Sequence, residues 1–351
     1  MSGKILFGID KLKEIAGSNY MLVCDSSFPY LSIKDSFNTA VRFDGFTPNP
    51  LYEQVVTGIE LFKSKKCEKI VAVGGGSTID VAKCIKLFCN MDPNINYLSQ
   101  EKKESLIPLI AVPTTAGTGS ESTRHAVIYY NGEKQSVSHP SIVPDYAILE
   151  PKVLETLPLY QKKCTMLDAL CQGIESWWSV NSTPESIEYA MLAVDKIVAN
   201  QKEYIENNSA TAAAEIMLAA NYSGRAINIT ATTAPHAMSY KLTKEYNIPH
   251  GHAVAVCLPL VWEYMLSHIN DCIDPRGSGY LLNVLSEIDK HISLSQFCKL
   301  LNSLEIAPPL FVGDDSIYDM LAASVNPLRL KNNPVKLDYD ILRSMYMRIV
   351  K

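Results

Sequence analysis

The sequence lacks the features that would place the protein in a membrane, outside the cell or on nucleic acid. No apolar run reaches the roughly 20 residues that a membrane-spanning helix needs. The first residues, MSGKILFGIDKLKEI, carry scattered charges and contain no apolar segment of the signal-peptide type. The formal net charge of -5 argues against general nucleic-acid binding. We therefore expect a cytoplasmic protein that binds neither membranes nor nucleic acid.

Cysteine pairs and low-complexity segments are also missing. The nine cysteines include no CxxC pair, and most stand among apolar residues, so we expect reduced thiols in the core. No low-complexity run and no repeat of fixed period interrupts the chain, which argues against a disordered or repeat protein. Hydrophobic residues at 47% and charged residues at 20% of 351 are typical of a globular protein with room for two domains.

The first half contains a strand, a glycine turn and a helix in KIVAVGGGSTIDVAK, residues 69–83. We predict a buried strand to Val73, a tight turn and then a helix with Ser77 as its N-cap. Glycines let backbone amides approach a pyrophosphate, and a helix N-terminus adds partial positive charge. A purely structural glycine turn is the alternative. The candidate nucleotide-binding residues are Gly74, Gly75, Gly76 and Ser77.

A second polar loop follows the apolar run that ends at Val112. It reads PTTAGTGSES and interleaves glycines with hydroxyl residues, which makes a wall that a ligand can approach closely. Phosphate, ribose and a nicotinamide amide are all possible ligands of such a loop. Two such loops in one α/β region favour a dinucleotide over a mononucleotide.

Asp25 directly follows the predicted buried strand YMLVC. In dinucleotide-binding folds an acid at this place accepts hydrogen bonds from the adenosine ribose and repels a 2′-phosphate. A plain turn aspartate is the alternative. If Asp25 binds the ribose, the sequence favours NAD over NADP.

The pattern becomes helical from about Leu154 almost to the end of the chain. Before it, RHAVIYY and YAILEP predict strands on either side of a loop, NGEKQSVSHPSIVPD. After it, Ala-rich and Leu-rich amphipathic stretches are separated by Asn, Ser and Pro turns. We predict an α/β N-terminal domain, residues 1–153, and an all-α C-terminal domain, residues 154–351.

Four residues of the helical half form a candidate metal site. Asp168 and Gln172 are four residues apart in LDALCQGIESWW, so on a helix they share one face. His236 lies in a helical pattern, and His250 follows the proline that must end it. A carboxylate, an amide oxygen and two imidazoles suit a divalent transition metal. The alternative is an ordinary helix aspartate, a surface glutamine and hydrogen-bonded histidines.

Four motifs in order, VAVGGGSTIDVAK, PTTAGTGSE, the Asp168 helix and APHAMSYKLTKEYNIPHGHA, resemble the iron-containing, or group III, alcohol dehydrogenase family over nearly the whole chain. The resemblance implies a Rossmann-like N-terminal half and an all-helical C-terminal half, the fold shared with dehydroquinate synthase. NAD(H) or NADP(H) and one divalent metal, Fe²⁺ or Zn²⁺, would meet in the cleft. The implied activity is reversible reduction of an aldehyde to an alcohol, and we expect a homodimer.

Residue by residue, the resemblance carries over with two departures. Asp168, His236 and His250 match metal ligands, whereas the fourth ligand, usually histidine, is Gln172. A further family histidine is replaced by Tyr240. An amide oxygen is a weaker donor than imidazole, so we expect weaker metal binding. The implied nucleotide-binding residues are Gly74, Gly75, Gly76, Ser77, Asp80, Thr114, Thr115, Thr118 and Ser120, with Lys134 near the nicotinamide.

The developing alkoxide needs a proton, and Tyr240 and His252 are the candidates to relay it. A packed helix residue with a satisfied polar atom is the alternative for each. Three segments further resemble the branch of the family that reduces phosphonoacetaldehyde to 2-hydroxyethylphosphonate or serves related phosphonate pathways. They are ESTRHAVIYYNGEKQSVSHPSIVPDYAILEP, DALCQGIESWWSVNSTPES and INITATTAPHAMSYKLT. A phosphonate needs charge-assisted donors, for which Arg124 is the first candidate. Another small aldehyde, a dehydroquinate synthase-like lyase and a degenerate nucleotide binder are the alternatives.

Overall fold

The computed structural model describes residues 3–37, 41–311 and 314–351. The strands in this part of the chain are β1 (Lys4–Phe7), β2 (Tyr20–Cys24), β3 (Arg42–Phe43), β4 (Lys69–Gly74), β5 (Leu109–Pro113), β6 (His125–Tyr130), β7 (Glu133–Ser138) and β8 (Tyr146–Leu149). The helices are α1 (Leu12–Ala16), α2 (Tyr52–Ser64), α3 (Gly76–Phe88), α4 (Leu159–Trp178), α5 (Pro184–Glu206), α6 (Ala210–Thr230), α7 (Ala234–Tyr246), α8 (His250–Ser267), α9 (Ser278–His291), α10 (Leu294–Ser303), α11 (Ser316–Ala323), α12 (Pro327–Leu330) and α13 (Tyr339–Ile349).

Six strands form one parallel sheet in the order β1-β8-β5-β4-β2-β3. Strands β4 and β5 are in register, with Gly74 opposite Pro113, so the loops that follow them start at the same edge. Strand β2 ends at Cys24 beside Val73 of β4, which places Asp25 at that edge too. The predicted glycine turn, hydroxyl loop and acid therefore converge at the carboxyl ends of the strands, where ligands bind in open α/β sheets.

The sheet is buried on both faces. On β4, Ile70 and Ala72 pack with side chains of α2, α3 and the β6–β7 hairpin. The alternating residues Val71 and Val73 pack with helices of the second half of the chain. Because both faces need apolar side chains, these strands appear in the sequence as continuous apolar runs.

The second half of the chain is helical, as predicted. Helix α4 packs against α5, α6 and α8, and α7 packs against α8. The core between sheet and helices is continuous across the predicted division, since Val153 and Leu154 both belong to it. The division at residue 153 therefore stays a prediction. Among the described helices, none is both long and apolar enough to cross a membrane, and the cytoplasmic location stays a prediction.

Two local predictions were wrong. The segment expected as one loop after β6 contains β7, which pairs antiparallel with β6. Asn131 and Gly132, both at positive φ, form the two-residue turn between them, and Asn-Gly suits such a turn. Helix α3 begins one residue earlier than expected: Gly76 is its first residue and Gly75 is the N-cap, so Ser77 lies inside the first turn.

Candidate metal centre and nucleotide cleft

Three polar side chains of helix α4 point from one face towards α7 and α8. Asp168, Gln172 and Glu175 are spaced four and three residues apart, so they lie on the same helical face. Asp168 and Gln172 are each 4% exposed, and Glu175 is fully buried. Buried polar groups need partners, so this face needs polar partners from the neighbouring helices.

Helices α7 and α8 bring two histidines to Asp168. The Nε2 atom of His236 lies 3.2 Å from Oδ1 of Asp168, and the Nε2 atom of His250 lies 4.0 Å from the same oxygen. The ligand atoms of these three residues all lie within 4.8 Å of one another. One carboxylate oxygen and two imidazole nitrogens this close together can bind one divalent ion.

The approach of α8 to α4 depends on a glycine. A Cβ atom at Gly251 would lie 1.9 Å from the carbonyl oxygen of Cys164 and 2.9 Å from Cβ of Asp168. The first turn of α8 therefore packs directly against the backbone of α4. This contact places His250, the first residue of α8, beside Asp168.

Glu175 is a site residue that was not predicted from the sequence. Its Oε1 accepts a hydrogen bond from Nδ1 of His236. Its Oε2 accepts hydrogen bonds from the backbone N–H of Thr233 at 2.7 Å and from the Thr233 hydroxyl at 2.9 Å. A carboxylate can only accept, so Nδ1 carries a hydrogen, and Nε2, which faces Asp168, is the nitrogen that a metal would bind once its proton is displaced.

Burial and charge shift the pKa values of the cluster in different directions. Burial would raise the pKa of Asp168, but the hydrogen bond from His236 and the charge of His250 lower it below its usual value. Burial lowers the pKa of His236, but Glu175 and Asp168 raise it to about 9. Burial lowers the pKa of His250 to about 4, although Asp168 opposes the shift. At neutral pH His250 is thus unprotonated, whereas His236 is protonated and would release a proton when a metal binds.

Gln172 completes a donor set that fits a metal ion. Its Oε1 is buried and has no hydrogen-bond partner among the described residues. A buried carbonyl oxygen without a partner costs about 1–3 kcal/mol, which coordination would remove. Asp168, Gln172, His236 and His250 together offer two oxygens and two nitrogens. The residues present therefore fit a divalent metal.

Tyr240 lies between this cluster and two cations. Its ring stacks on the ring of His250, with centroids 5.5 Å apart and planes 10° apart. The Nζ atom of Lys134 lies 3.5 Å from the Tyr240 ring centroid. Nη1 of Arg329, a residue not predicted from the sequence, donates to the Tyr240 hydroxyl at 3.1 Å. Burial, then the charge of Arg329, lowers the pKa of Lys134 to about 7.

His252 is bonded through both ring nitrogens. Nε2 is 2.8 Å from the carbonyl oxygen of Ala307, to which it can only donate. Nδ1 then accepts a hydrogen bond from the Tyr160 hydroxyl at 2.7 Å. These bonds connect α8 to the start of α4 and to the chain after α10. They favour the structural alternative for His252 over the predicted proton relay.

The two predicted nucleotide loops lie against each other, and the second of them lies against helix α4. A Cβ at Gly76 would be 3.0 Å from a side-chain carbon of Thr118, and one at Gly75 would be 3.7 Å from Thr115. A Cβ at Gly117 would be 2.9 Å from the carbonyl oxygen of Thr165, one turn before Asp168. Helix α3 has no side-chain cap, so its first amides are available to an anion. The second loop thus connects the predicted nucleotide site with α4, the helix that contains Asp168.

The remaining predicted nucleotide residues make bonds within the protein. The backbone N–H of Thr114 donates to the carbonyl oxygen of Gly74 at 3.0 Å. Oδ2 of Asp25 accepts a hydrogen bond from the Thr78 hydroxyl at 2.9 Å, which keeps the carboxylate beside the glycine turn.

Asp80 and Ser120 bond to each other behind the loops. The Ser120 hydroxyl donates to Oδ1 of Asp80 at 2.7 Å, and the backbone N–H of Val127 donates to Oδ2 at 2.9 Å. The buried Lys83 donates to the Ser120 hydroxyl at 2.9 Å. These bonds brace the second loop on α3, and nucleotide contacts of Asp80 and Ser120 stay a prediction.

Arg124, the predicted phosphonate ligand, has an exposed side chain just before β6. Its backbone N–H donates to Oδ1 of Asn228 at 2.8 Å. The described contacts of Tyr240 and His250 involve Lys134 and Arg329 instead. The structure thus places a different arginine, Arg329, against Tyr240.

A family model described as iron-containing alcohol dehydrogenase matches residues 3–151. A second model, the C-terminal region of the Fe-containing alcohol dehydrogenase family, matches residues 163–346. The chain belongs to the iron-containing alcohol dehydrogenase family. The resemblance read from the four motifs is thereby confirmed.

Relatives within the iron-containing alcohol dehydrogenase family include the phosphonoacetaldehyde reductase of Streptomyces viridochromogenes. It is 36% identical over 266 residues, which cover 71% of this chain and 66% of that protein. The probable alcohol dehydrogenase EutG of Escherichia coli is 34% identical over 220 residues, covering 61% and 56%. The chain thus spans less than two thirds of the length of these relatives.

Solved structures of the family have the same fold. The sulfoacetaldehyde reductase of Bifidobacterium kashiwanohense, in complex with NAD⁺, superposes with a TM-score of 0.88 and 25% identity, over 99% of this chain and 97% of that one. An iron-containing alcohol dehydrogenase of Thermococcus thioreducens gives a TM-score of 0.87 at 24% identity, over 99% and 98%. The predicted fold class, a Rossmann-like sheet domain followed by a helical domain, is confirmed.

Proposed function

We propose that the protein is a metal-dependent reductase that uses NADH or NADPH to convert a small aldehyde to a primary alcohol. The observation that carries this proposal is the cluster of Asp168, His236 and His250 beside the buried, unpartnered oxygen of Gln172. Asp168 and Gln172 lie on the helix that the second nucleotide loop contacts. The donor set supports Fe²⁺ or Zn²⁺ as the metal.

The substrate that we propose is phosphonoacetaldehyde, with 2-hydroxyethylphosphonate as the product. A 36% identical relative is named for phosphonoacetaldehyde, and a solved structure of the same fold is named for sulfoacetaldehyde. Both compounds are two-carbon aldehydes that carry a tetrahedral anionic group. The two cations next to Tyr240 are consistent with such a substrate.

Each group would have a defined role in this reaction. A bound divalent ion supplies a Lewis acid for the aldehyde oxygen, and the nicotinamide supplies the hydride. Glu175 holds His236 in the tautomer that can bind the ion. Tyr240 is our candidate to donate a proton to the product oxygen, because its hydroxyl accepts from Arg329 and keeps its own hydrogen free.

The half-buried wall of Gly75, Gly76, Ser77, Thr115 and Thr118 would bind the nucleotide phosphates and the nicotinamide half. Asp25, at the carboxyl end of β2, would accept from the adenosine ribose, so we propose NAD as the preferred cofactor. The homodimer expected from the sequence also stays a proposal, which sedimentation of the purified protein would test.

The test is steady-state oxidation of NADH and NADPH by protein loaded with Fe²⁺ or Zn²⁺. Phosphonoacetaldehyde is compared with propionaldehyde and lactaldehyde, and Asp168→Ala is the control without a metal site. We expect turnover that requires metal and is fastest with phosphonoacetaldehyde. Equal rates with the three aldehydes would refute phosphonoacetaldehyde as the preferred substrate but would still support the aldehyde reductase activity. No turnover of any aldehyde, with metal and nucleotide both bound, would refute the reductase.

A further inference from the structure

We propose that Arg329 and Lys134 form an anion-binding subsite that selects aldehydes carrying a phosphonate or sulfonate group. The proposal rests on the proposed reductase function and assigns its substrate specificity to two residues. Arg329 lies on α12 and Lys134 on β7, so distant parts of the chain build this subsite.

Both cations contact one aromatic ring. Nζ of Lys134 lies 3.5 Å from the ring centroid of Tyr240, and the guanidinium carbon of Arg329 lies 5.0 Å from it. Arg329 also donates to the Tyr240 hydroxyl at 3.1 Å. The same ring stacks on His250. The two basic groups are thus held one aromatic ring away from His250, a candidate metal ligand.

In the described part of the chain neither cation has a carboxylate at ion-pair distance, although Asp80 attracts Lys134 from farther away. Among the described residues, no carboxylate oxygen lies within 4.0 Å of the charged nitrogens of Arg329 or Lys134, although Lys241 on the neighbouring helix pairs with Glu245 at 2.8 Å. Both side chains are half-buried, where an unpaired charge is costly. Like charges close together add repulsion. An anionic group of a bound ligand would remove both costs.

The position suits a short substrate. A two-carbon aldehyde separates its anionic group from its carbonyl carbon by one methylene, and each bond is about 1.5 Å long. A carbonyl held at the metal cluster therefore keeps its phosphonate or sulfonate close to the ring of Tyr240, which stacks on His250. The planar guanidinium of Arg329 can donate to two oxygens of the group, and Lys134 adds a point charge.

Arg329 takes over the role that was predicted for Arg124. The Arg124 side chain is exposed, whereas that of Arg329 is half-buried and contacts the site through Tyr240. The chain also offers a matched control, because Lys331, two residues after Arg329, is exposed. Lys331→Gln removes the same charge near the same helix without touching Tyr240.

The experiment compares Arg329→Gln, Arg329→Lys and Lys331→Gln with the parent protein, all loaded with metal and checked for folding by circular dichroism. The readout is the ratio of kcat/KM for phosphonoacetaldehyde, and for sulfoacetaldehyde, to kcat/KM for propionaldehyde. We expect Arg329→Gln to lower these ratios by about 10- to 100-fold, the range for a lost charge-assisted hydrogen bond. The Arg329→Lys variant should show a smaller decrease in these ratios, and the Lys331→Gln variant should have the same ratios as the parent protein.

A binding measurement separates this subsite from the reaction and from the nucleotide. Calorimetry with ethylphosphonate and with ethanesulfonate, both unreactive, is run on the metal- and NAD⁺-loaded proteins, and NADH affinity is measured in parallel. We expect Arg329→Gln to lower the binding affinity for both anions by the same factor by which it lowers the kcat/KM ratio, and to leave the affinity for NADH unchanged.

Three outcomes would overturn the subsite. They are an unchanged ratio for both anionic aldehydes, unchanged binding of both anions, or a loss of NADH affinity that accounts for the effect and assigns Arg329 to the nucleotide phosphates. If only one of the two anions depends on Arg329, the subsite holds and its ligand is that anion. If the parent protein reduces no aldehyde, the reductase fails, while ethylphosphonate and ethanesulfonate binding still decides the subsite.

Discussion

Replacing Glu175 by glutamine is expected to weaken metal binding while the fold persists. The Glu175 carboxylate accepts three hydrogen bonds, one from Nδ1 of His236 and two from Thr233. Glutamine has the same size, but one of its two terminal groups is an NH₂ donor. In either orientation, a donor faces the His236 ring or the Thr233 amide. His236 then loses the contact that holds its tautomer, or moves.

The magnitude follows from the burial of this contact. Partners of ligating histidines contribute about 10- to 100-fold in metal affinity, equivalent to ~1.4–2.7 kcal/mol. The loss of a hydrogen bond to a charged group costs about 1.5–3 kcal/mol of free energy, which is in the same range. Glu175 is 0% exposed, so water does not replace the lost bond and the upper half of the range applies.

The assay is competition for Zn²⁺ between the protein and a fluorescent chelator, with thermal unfolding of the metal-free protein in parallel. Glu121→Gln is the control, because Glu121 is another buried carboxylate, 3% exposed and bonded to Asn221. It should lower the unfolding temperature without changing metal affinity. A folded Glu175→Gln protein that binds Zn²⁺ within twofold of the parent would refute the role of Glu175.

Four further predictions test other parts of the site. Asp25→Gly should raise kcat/KM with NADPH relative to NADH by about tenfold, or ~1.4 kcal/mol, and unchanged preference would remove Asp25 from the ribose site. Gln172→His should slow metal loss during dialysis against a chelator, because imidazole is the stronger donor. Gly251→Ala should cost about 1–3 kcal/mol of stability and lower metal content, whereas Gly279→Ala, with open space around it, should do neither. Burial and the charge of Arg329 lower the pKa of Lys134 to about 7, although Asp80 opposes the shift, so Lys134 loses its charge as the pH rises through 7. The KM for sulfoacetaldehyde, whose own charge is constant, should therefore rise between pH 6 and 8.5, and it should stay constant in the Lys134→Met variant.

The fold was predictable wherever an element is buried along its whole length. Strands β2, β4 and β5 have side chains buried on both faces, and their apolar runs marked them in the sequence. Strand β7 is different, because only Val137 among its residues is buried, so its polar sequence resembled a loop. The signal that could have revealed it was the turn, since Asn131-Gly132 is a strong hairpin pair.

The residues of the candidate metal centre could be predicted from the sequence where they follow a helical spacing or match a motif of the family. Asp168 and Gln172 follow from the four-residue spacing, and the same rule extended one turn would have included Glu175. Arg329 was beyond such reasoning. It reaches Tyr240 from 89 residues away in the chain, on a helix of four residues that has no period to detect. Only the folded chain places its charge beside the site.

The presence of tyrosine at position 240 can be explained by the basic groups that lie beside it, including Arg329. Where the family resemblance leads us to expect histidine, this chain has a phenol ring, which lies against Lys134 and the guanidinium of Arg329. An imidazole that gained a proton there would add a positive charge beside two basic groups that have no carboxylate oxygen within 4.0 Å among the described residues. A tyrosine stays neutral, offers its ring face to a cation and accepts from the guanidinium. The substitution at 240 therefore suits a site that keeps two cations unpaired, and such a site has most to gain from an anionic substrate.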